Sequence, residues 1–407
     1  MIGKSAKPRK IALFSVSAGA GHVRAAQALQ AAAEKWCPEV ETVHVDLMDL
    51  APKLFRKVYT DTYIKIVERH PAVWGYLYDR ADQEKADSTL NRLRIAIERL
   101  NTQRLKKVVR ELNPDHIICT HFLPAQLLSR KVAQGVFSMP VWVQVTDFDL
   151  HSLWVHGHMR GYFAANDEVA WRMANRGVPR DTIHVTGIPI MPVFGETLSR
   201  TECARELGID PERKTLLMMS GGAGIGGIET LTGRLLQLEG DFQVVALSGR
   251  NERLLEDLRR LAEKRPGRLF PLGFTRTIER VMAASDLAIT KPGGLTTSEC
   301  LAVGLPMIVI SPIPGQEERN ADFLLENGAA LKACGPSALA YRVERLLREP
   351  ARLQSLRENA CRLGRPDAAR TVLDIVLGGI AKSNNEIRQS HALCISPAAG
   401  CGLKKYS

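Results

Sequence analysis

Short apolar runs alternate with longer amphipathic stretches along most of the chain. In the first half the apolar runs are KIALFSV, ETVHVDLMDL, HIICTH, VWVQVTD and GYFAA, with a helical pattern opening near Val23 after the first of them. The second half restarts the series with KTLLMMS, DFQVVALSG, LFPLG, DLAIT and PMIVIS, again separated by helical stretches. Uniformly apolar strands alternating with helices predict parallel sheets buried on both faces. The fold class expected is therefore α/β, with two doubly wound, Rossmann-like domains. The proline-marked stretch GIPIMPVFGE (187–196) lies between the two series and reads as the linker. The domains are expected at 1–195 and 196–365, followed by a helix at 366–380 placed to cross back to the first domain. The small, polar residues of 381–407 read as a frayed tail.

Composition narrows the setting. No stretch reaches the roughly 18 apolar residues of a membrane span, and the basic MIGKSAKPRK leads into one strand rather than a signal-peptide core. A cytoplasmic location is expected. The eight cysteines are scattered without a CxxC pair, which fits reduced thiols and argues against a zinc site. The formal net charge of +11 suits an anionic partner: a lipid surface, a nucleic acid or a phosphorylated substrate. Residues 51–110 carry 14 Lys/Arg against 7 Asp/Glu, and Phe55, Tyr59 and Tyr63 recur at helical spacing. Basic residues with aromatics on one face suit docking to an anionic membrane surface, or form ordinary core with a solvated back. No recognised RNA or DNA module accompanies them, so nucleic acid is not an expected partner.

Three segments carry candidate chemistry. The first, SVSAGAGHVRAAQAL (15–29), is a glycine turn opening a helix, but it places His22 where a phosphate loop would keep small residues. The second, MMSGGAGIGG (218–227), formally matches G-x-G-x-x-G. The following strand, DFQVVALSG, ends without the acid that would hold a dinucleotide ribose, which disfavours NAD. Amides of Gly221, Gly222, Ala223 and Gly224 at a helix N-terminus still suit a diphosphate, and no Walker-A lysine exists. The third, TKPGGLTTSEC followed by PGQEERN, sets Gly293 and Gly294 before a helix that Thr296 or Thr297 can cap. Glu299 near its start can take two hydrogen bonds from a ribose diol, or merely complement the helix dipole. Gln316, Glu317 and Asn320 fall on a turn at the same sheet end, where polar side chains suit sugar hydroxyls.

Residues 290–330 resemble the donor-site signature of two-domain, GT-B nucleotide-sugar glycosyltransferases. The branch they resemble contains monogalactosyldiacylglycerol synthases and processive diacylglycerol glucosyltransferases (glycosyltransferase family 28), with the undecaprenyl N-acetylglucosaminyltransferase of peptidoglycan synthesis more distant. SAGAGH is similar to that branch's glycine turn ending in histidine. VTDFDLHSLWVH (145–156) resembles its T-D-x-x-x-H-x-x-W segment, and VTGIPIMPVF its inter-domain motif. The likeness covers about residues 10–375. One departure is Gly-Ala-Gly at 19–21 where the branch has three glycines.

The resemblance implies an inverting transfer of a hexose, from UDP-galactose or UDP-glucose, to diacylglycerol by a peripheral membrane enzyme. It makes the first domain the acceptor side and the second the donor side. His22 then corresponds to the base or acceptor-orienting residue, and Gly221–Gly224 to the diphosphate loop. Phe274 matches the position where backbone groups receive the base, and Glu299 the ribose carboxylate. Gln316, Glu317 and Asn320 match the hexose contacts. Gly21, His151 and Trp154 lie on the acceptor side. A neutral histidine can accept a proton near pH 7. Asp147 either orients His22 or caps a turn. Asp147, Asp149 and His151 have tempting spacing, but without a third cluster of ligands no metal and no cofactor are expected. A polyprenyl-linked or other lipid acceptor, and a non-catalytic UDP-sugar sensor, remain the alternatives.

Overall fold

The structure, a computed structural model, describes residues 9–17, 19–50, 103–219 and 227–378. The basic and aromatic stretch 51–102, the diphosphate-loop candidates Gly221–Gly224 and the tail lie outside the described residues.

Each apolar run forms a parallel strand, buried in the sheet interiors and only partly buried in the edge runs ETVHVD and LFPL. In the first domain β1 (Lys10–Ser15), β2 (Glu41–Asp46), β3 (His116–Cys119), β4 (Val141–Gln144), β5 (Gly161–Ala164) and β6 (Ile183–Val185) pair in the order β2-β1-β3-β4-β5-β6. In the second, β7 (Lys214–Met219), β8 (Phe242–Leu247), β9 (Leu269–Leu272), β10 (Leu287–Thr290), β11 (Met307–Ile310) and β12 (Ala330–Ala333) pair in the order β12-β11-β10-β7-β8-β9. All these pairings are parallel. Strand order therefore reverses between β1 and β3 in one sheet and between β7 and β10 in the other. Ligands of open α/β sheets gather at the carboxyl ends of the strands beside such reversals.

Five helices position the cleft. They are α1 (Ala20–Trp36), α2 (Phe122–Ala133), α3 (Gly294–Ala302), α4 (Gln316–Glu326) and α5 (Ala368–Val376). The buried face of α1 is nearly all alanine, at 25, 26, 28, 32 and 33, with Leu29. Small side chains let α1 lie close to its own sheet while Ala369, Val372, Leu373 and Val376 of α5 share the same cluster with Ile11, Leu13 and Leu29. The chain thus ends its described course on the first domain. The segment between the domains is packed rather than loose. Ile188, Ile190 and Phe194 are buried in a cluster with Leu217, Leu295 and Leu301 of the second domain. Gly187 has φ +86°, and a Cβ there would press on Arg365, so the crossing needs glycine.

Candidate active site

The carboxyl ends of β1, β3 and β4 meet those of β10 and β11 across the cleft. Helix α1 begins at Ala20, three residues before the expected start, because Gly19 at φ +119° turns the chain directly into it. His22 therefore sits in the first helical turn rather than at the end of a loop. Its Nδ1 lies 3.0 Å from the carbonyl oxygen of Thr120 and 2.9 Å from Thr146 Oγ1. A carbonyl only accepts, so Nδ1 carries the proton and Nε2 keeps its lone pair. Thr120 Oγ1 also donates to the His22 carbonyl at 2.8 Å, tying the histidine's own backbone to the end of β3. Burial pulls the His22 pKa down to about 4, with the Thr120 bond opposing, so the ring is neutral at physiological pH. Among the described residues the hydrogen-bond partners of the His22 ring are these two threonines. Asp147 instead shares a hydrogen bond with the Asn320 side chain, and burial raises its carboxyl pKa to about 7, with Asp149 and Glu317 adding to the rise.

A residue that the sequence reading passed over stands beside His22. The His121 ring meets the His22 ring edge-on at 4.5 Å between centroids. His121 caps α2, its Nδ1 accepting from Leu123 N at 3.0 Å, which fixes the proton on Nε2. Two adjacent imidazoles thus hold opposite tautomers. Trp154 packs 6.1 Å from His22 and 6.3 Å from His121, and Phe122 closes the cluster. His151 is buried and caps the short turn carrying Trp154, accepting from Leu153 N at 3.2 Å. The available signal for His121 was its place just past an apolar strand, in HIICTH. Its neighbour, 99 positions earlier, was not legible there.

On the opposite wall, α3 starts at Gly294 with Gly293 as the capping residue and no side-chain cap. The expectation that Thr296 or Thr297 caps this helix is therefore corrected: both lie inside it, because the chain enters the helix at Gly293, three residues before Thr296. Gly294 abuts the Thr146 carbonyl of the first domain. Glu299 is buried in the second turn of α3, where desolvation raises its pKa to about 7 against the opposing pull of Arg24. Phe274 follows β9 and is 59% exposed, with the Arg250 guanidinium over its ring at 4.9 Å.

Gln316, Glu317 and Asn320 lie on helix α4, not on a turn, which corrects the second local expectation. The helix starts because Gly315, at φ +87°, reverses the chain after Pro314. Glu317 accepts from Ile313 N at 2.7 Å, and burial raises its pKa. Asn320 is fully buried and bridges the domains: its Oδ1 accepts from Phe148 N at 2.8 Å and its Nδ2 donates to Pro292 O at 3.0 Å. Phe148 stacks on Phe323 at 4.7 Å, and Asp149 pairs with Arg319 of α4 at 2.6 Å and with Arg172. The segment 146–149 is thus clamped onto α4. Among the described residues no group of three or more His, Cys, Asp or Glu side chains is placed to hold a metal ion.

The arrangement has a chemical sense. A neutral imidazole with a free Nε2 stands in the aromatic wall of one domain. Facing it are a helix N-terminus without a side-chain cap and a buried carboxylate of the other. Such a pair of walls can take a proton from a hydroxyl on one side and stabilise a departing anion on the other.

The chain resembles known proteins in sequence and in fold. The family profile for monogalactosyldiacylglycerol (MGDG) synthase matches residues 22–190, and that for the glycosyltransferase family 28 C-terminal domain matches residues 229–372. A processive diacylglycerol beta-glucosyltransferase of Bacillus cereus (strain AH187) is 30% identical over 400 residues, covering 96% of this chain and 98% of the relative. The enzyme of the same description from Bacillus pumilus (strain SAFR-032) is 29% identical over 384 residues, covering 93% and 97%. Among solved structures, Acinetobacter baumannii MurG matches with a TM-score of 0.60 at 16% identity, over 91% of this chain and all of that one. The S. aureus MnaA–UDP complex matches at 0.58 and 14% identity, over 92% and 98%. At such identities the structural likeness establishes the two-domain GT-B architecture alone.

Proposed function

The chain belongs to the processive diacylglycerol β-glucosyltransferase family, and from that premise we propose that it moves a hexose from a UDP-sugar to diacylglycerol with inversion at the anomeric carbon. Glucose is the hexose favoured by the curated relatives. The observation that carries the reading is the opposition of His22, its Nδ1 proton committed to Thr120, to the N-terminus of α3 and Glu299.

In this reading the acceptor hydroxyl gives its proton to His22 Nε2 as its oxygen bonds to the anomeric carbon. The bond from that carbon to the diphosphate oxygen breaks, and UDP leaves. Its negative charge is met by helix N-termini of the donor domain, α3 among them. Glu299 holds the ribose diol. The aromatic wall of Phe122 and Trp154 receives the apolar neck of the lipid, and Asp147 and Glu317 line the hexose side. No described helix is long and apolar enough to cross a membrane, and the proposal places the enzyme on an anionic lipid surface as a peripheral protein.

The test is incubation of pure protein with UDP-glucose, or UDP-galactose, and vesicles containing diacylglycerol. One free UDP is expected for each hexose transferred to lipid, with chelator present, because no metal enters the scheme. Absence of both products from a protein with His22 intact refutes it.

A further inference from the structure

Arg24 stands two residues beyond His22 on α1 and belongs to the acceptor-side domain, yet its charge is directed at the donor side. Its Nη2 lies 3.8 Å from Glu299 Oε1 of α3. The Glu299 side chain is 11% exposed, whereas that of Arg24 is 43% exposed. Helices α1 and α3 touch here: a Cβ on Gly21 would lie 3.5 Å from Leu295 Cδ2. Among the described residues the cation acting on Glu299 is Arg24, and the other charged neighbour acting on it, Glu279, has like charge. A buried carboxylate without a cation is strongly disfavoured. The acceptor domain therefore supplies the counter-charge that the donor domain lacks.

We propose that Arg24 is a positioning residue for donor binding: it reaches across the cleft to hold the Glu299 carboxylate for the ribose diol. The inference rests on Glu299 being the ribose ligand. It adds that the donor site draws one of its charges from the acceptor-side domain.

An ionised carboxylate accepts from both ribose hydroxyls through charge-assisted bonds, whereas the acid form surrenders one accepting position. Donor affinity should therefore fall as pH drops through the Glu299 pKa of about 7. Removing Arg24 raises that pKa further, leaving Glu299 with Glu279 as its charged neighbour, and carries the loss to higher pH.

The experiment is calorimetric binding of UDP between pH 6 and 9 for wild type, Arg24→Met, Arg24→Lys and Glu299→Gln, with kcat and KM for the UDP-sugar measured alongside. Arg24→Met is expected to weaken UDP about fivefold at pH 7 and to approach wild type by pH 9, a loss of the size expected for one weakened charge-assisted contact. KM should rise while kcat at saturating donor holds within about twofold, the signature of lost ground-state binding. Arg24→Lys should restore part of the affinity, since it keeps the charge without the planar fork. If Arg24→Met weakens UDP equally at every pH, or not at all, while Glu299→Gln weakens it, the positioning role is overturned and the ribose reading stands. If Glu299→Gln binds UDP as wild type does, the ribose reading itself is overturned and the role of Arg24 with it.

Discussion

Gly294→Ala tests whether the two walls of the cleft must meet as closely as they do. On local grounds the change should help: alanine is favoured over glycine in a helix by up to about 1 kcal/mol. The tertiary contact opposes it. A Cβ at Gly294 would sit inside the contact radius of the Thr146 carbonyl oxygen, 3.2 Å from its carbonyl carbon and 3.5 Å from Ile188 Cδ1. A backbone carbonyl has no rotamer to yield, so the helix and the strand end must separate. Overpacking of this kind costs about 1–3 kcal/mol, so the net loss of stability should be small, on the order of 1 kcal/mol after the helix gain.

The rate should respond far more. Thr146 Oγ1 is 2.9 Å from His22 Nδ1, so moving Thr146 moves the base. Restoring ordinary contact requires a displacement on the order of 1 Å, and misplacement by that amount costs about 100-fold in rate. Measured with UDP-glucose and diacylglycerol vesicles, kcat should fall by about that factor while the melting temperature shifts by only a few degrees. A Gly294→Ala enzyme with kcat within about threefold of wild type would refute the reasoning, because the cleft would then tolerate the separation.

Other perturbations probe single contacts. His22→Ala should largely abolish transfer yet leave UDP binding mostly intact, measured by product formation and calorimetry; loss of UDP binding in a folded variant would return the loop to a phosphate-holding role. The acid side of kcat/KM for the donor should carry two steps, one near pH 7 from Glu299 and one near pH 4 from His22, whereas the His22 limb of kcat should lie at higher pH than its kcat/KM limb, because bound diphosphate favours the imidazolium. Coincident limbs would count against His22 as the base. Asn320→Ala leaves Phe148 N and Pro292 O unpaired in the domain interface and should cost about 2–4 kcal/mol in denaturant unfolding; a loss under 0.5 kcal/mol would show that the bridge contributes little. His121→Asn keeps a good helix cap, so unchanged melting with lowered kcat would identify the imidazole itself, and wild-type kcat would reduce His121 to its cap.

Most strands of both sheets were legible as apolar runs because they are covered on both faces. The two that stand outside the series of apolar runs, β6 and β12, are sheet edges. Their burial is partial, with no residue of β6 and only the two ends of β12 buried, so no continuous apolar signal forms. The motifs located His22, Glu299 and the Asp147 segment by local pattern. They misplaced the helix starts by three to four residues, since a capping glycine shifts the start without changing the hydrophobic period. Asn320 shows the deeper limit. A polar residue beside a sheet end reads as a ligand contact, but here it is consumed by Phe148, 172 positions away.

That limit has a common physical origin. His22, Thr120 and Thr146 come from three strand ends of one sheet, and Gly294 and Asn320 from two of the other; each contact joins residues distant in sequence. Both domains place a glycine-opened helix beside the reversal of strand order, α1 after β1 and α3 after β10. Either one alone is a generic anion-friendly helix start. Under the proposed reaction, their apposition through Gly294 and Thr146 makes one the partner of a neutral base and leaves the other to receive the leaving charge. On that reading the chemistry belongs to the interface, which the Phe148–Phe323 stack, the Asn320 bridge and the Asp149–Arg319 pair hold in register.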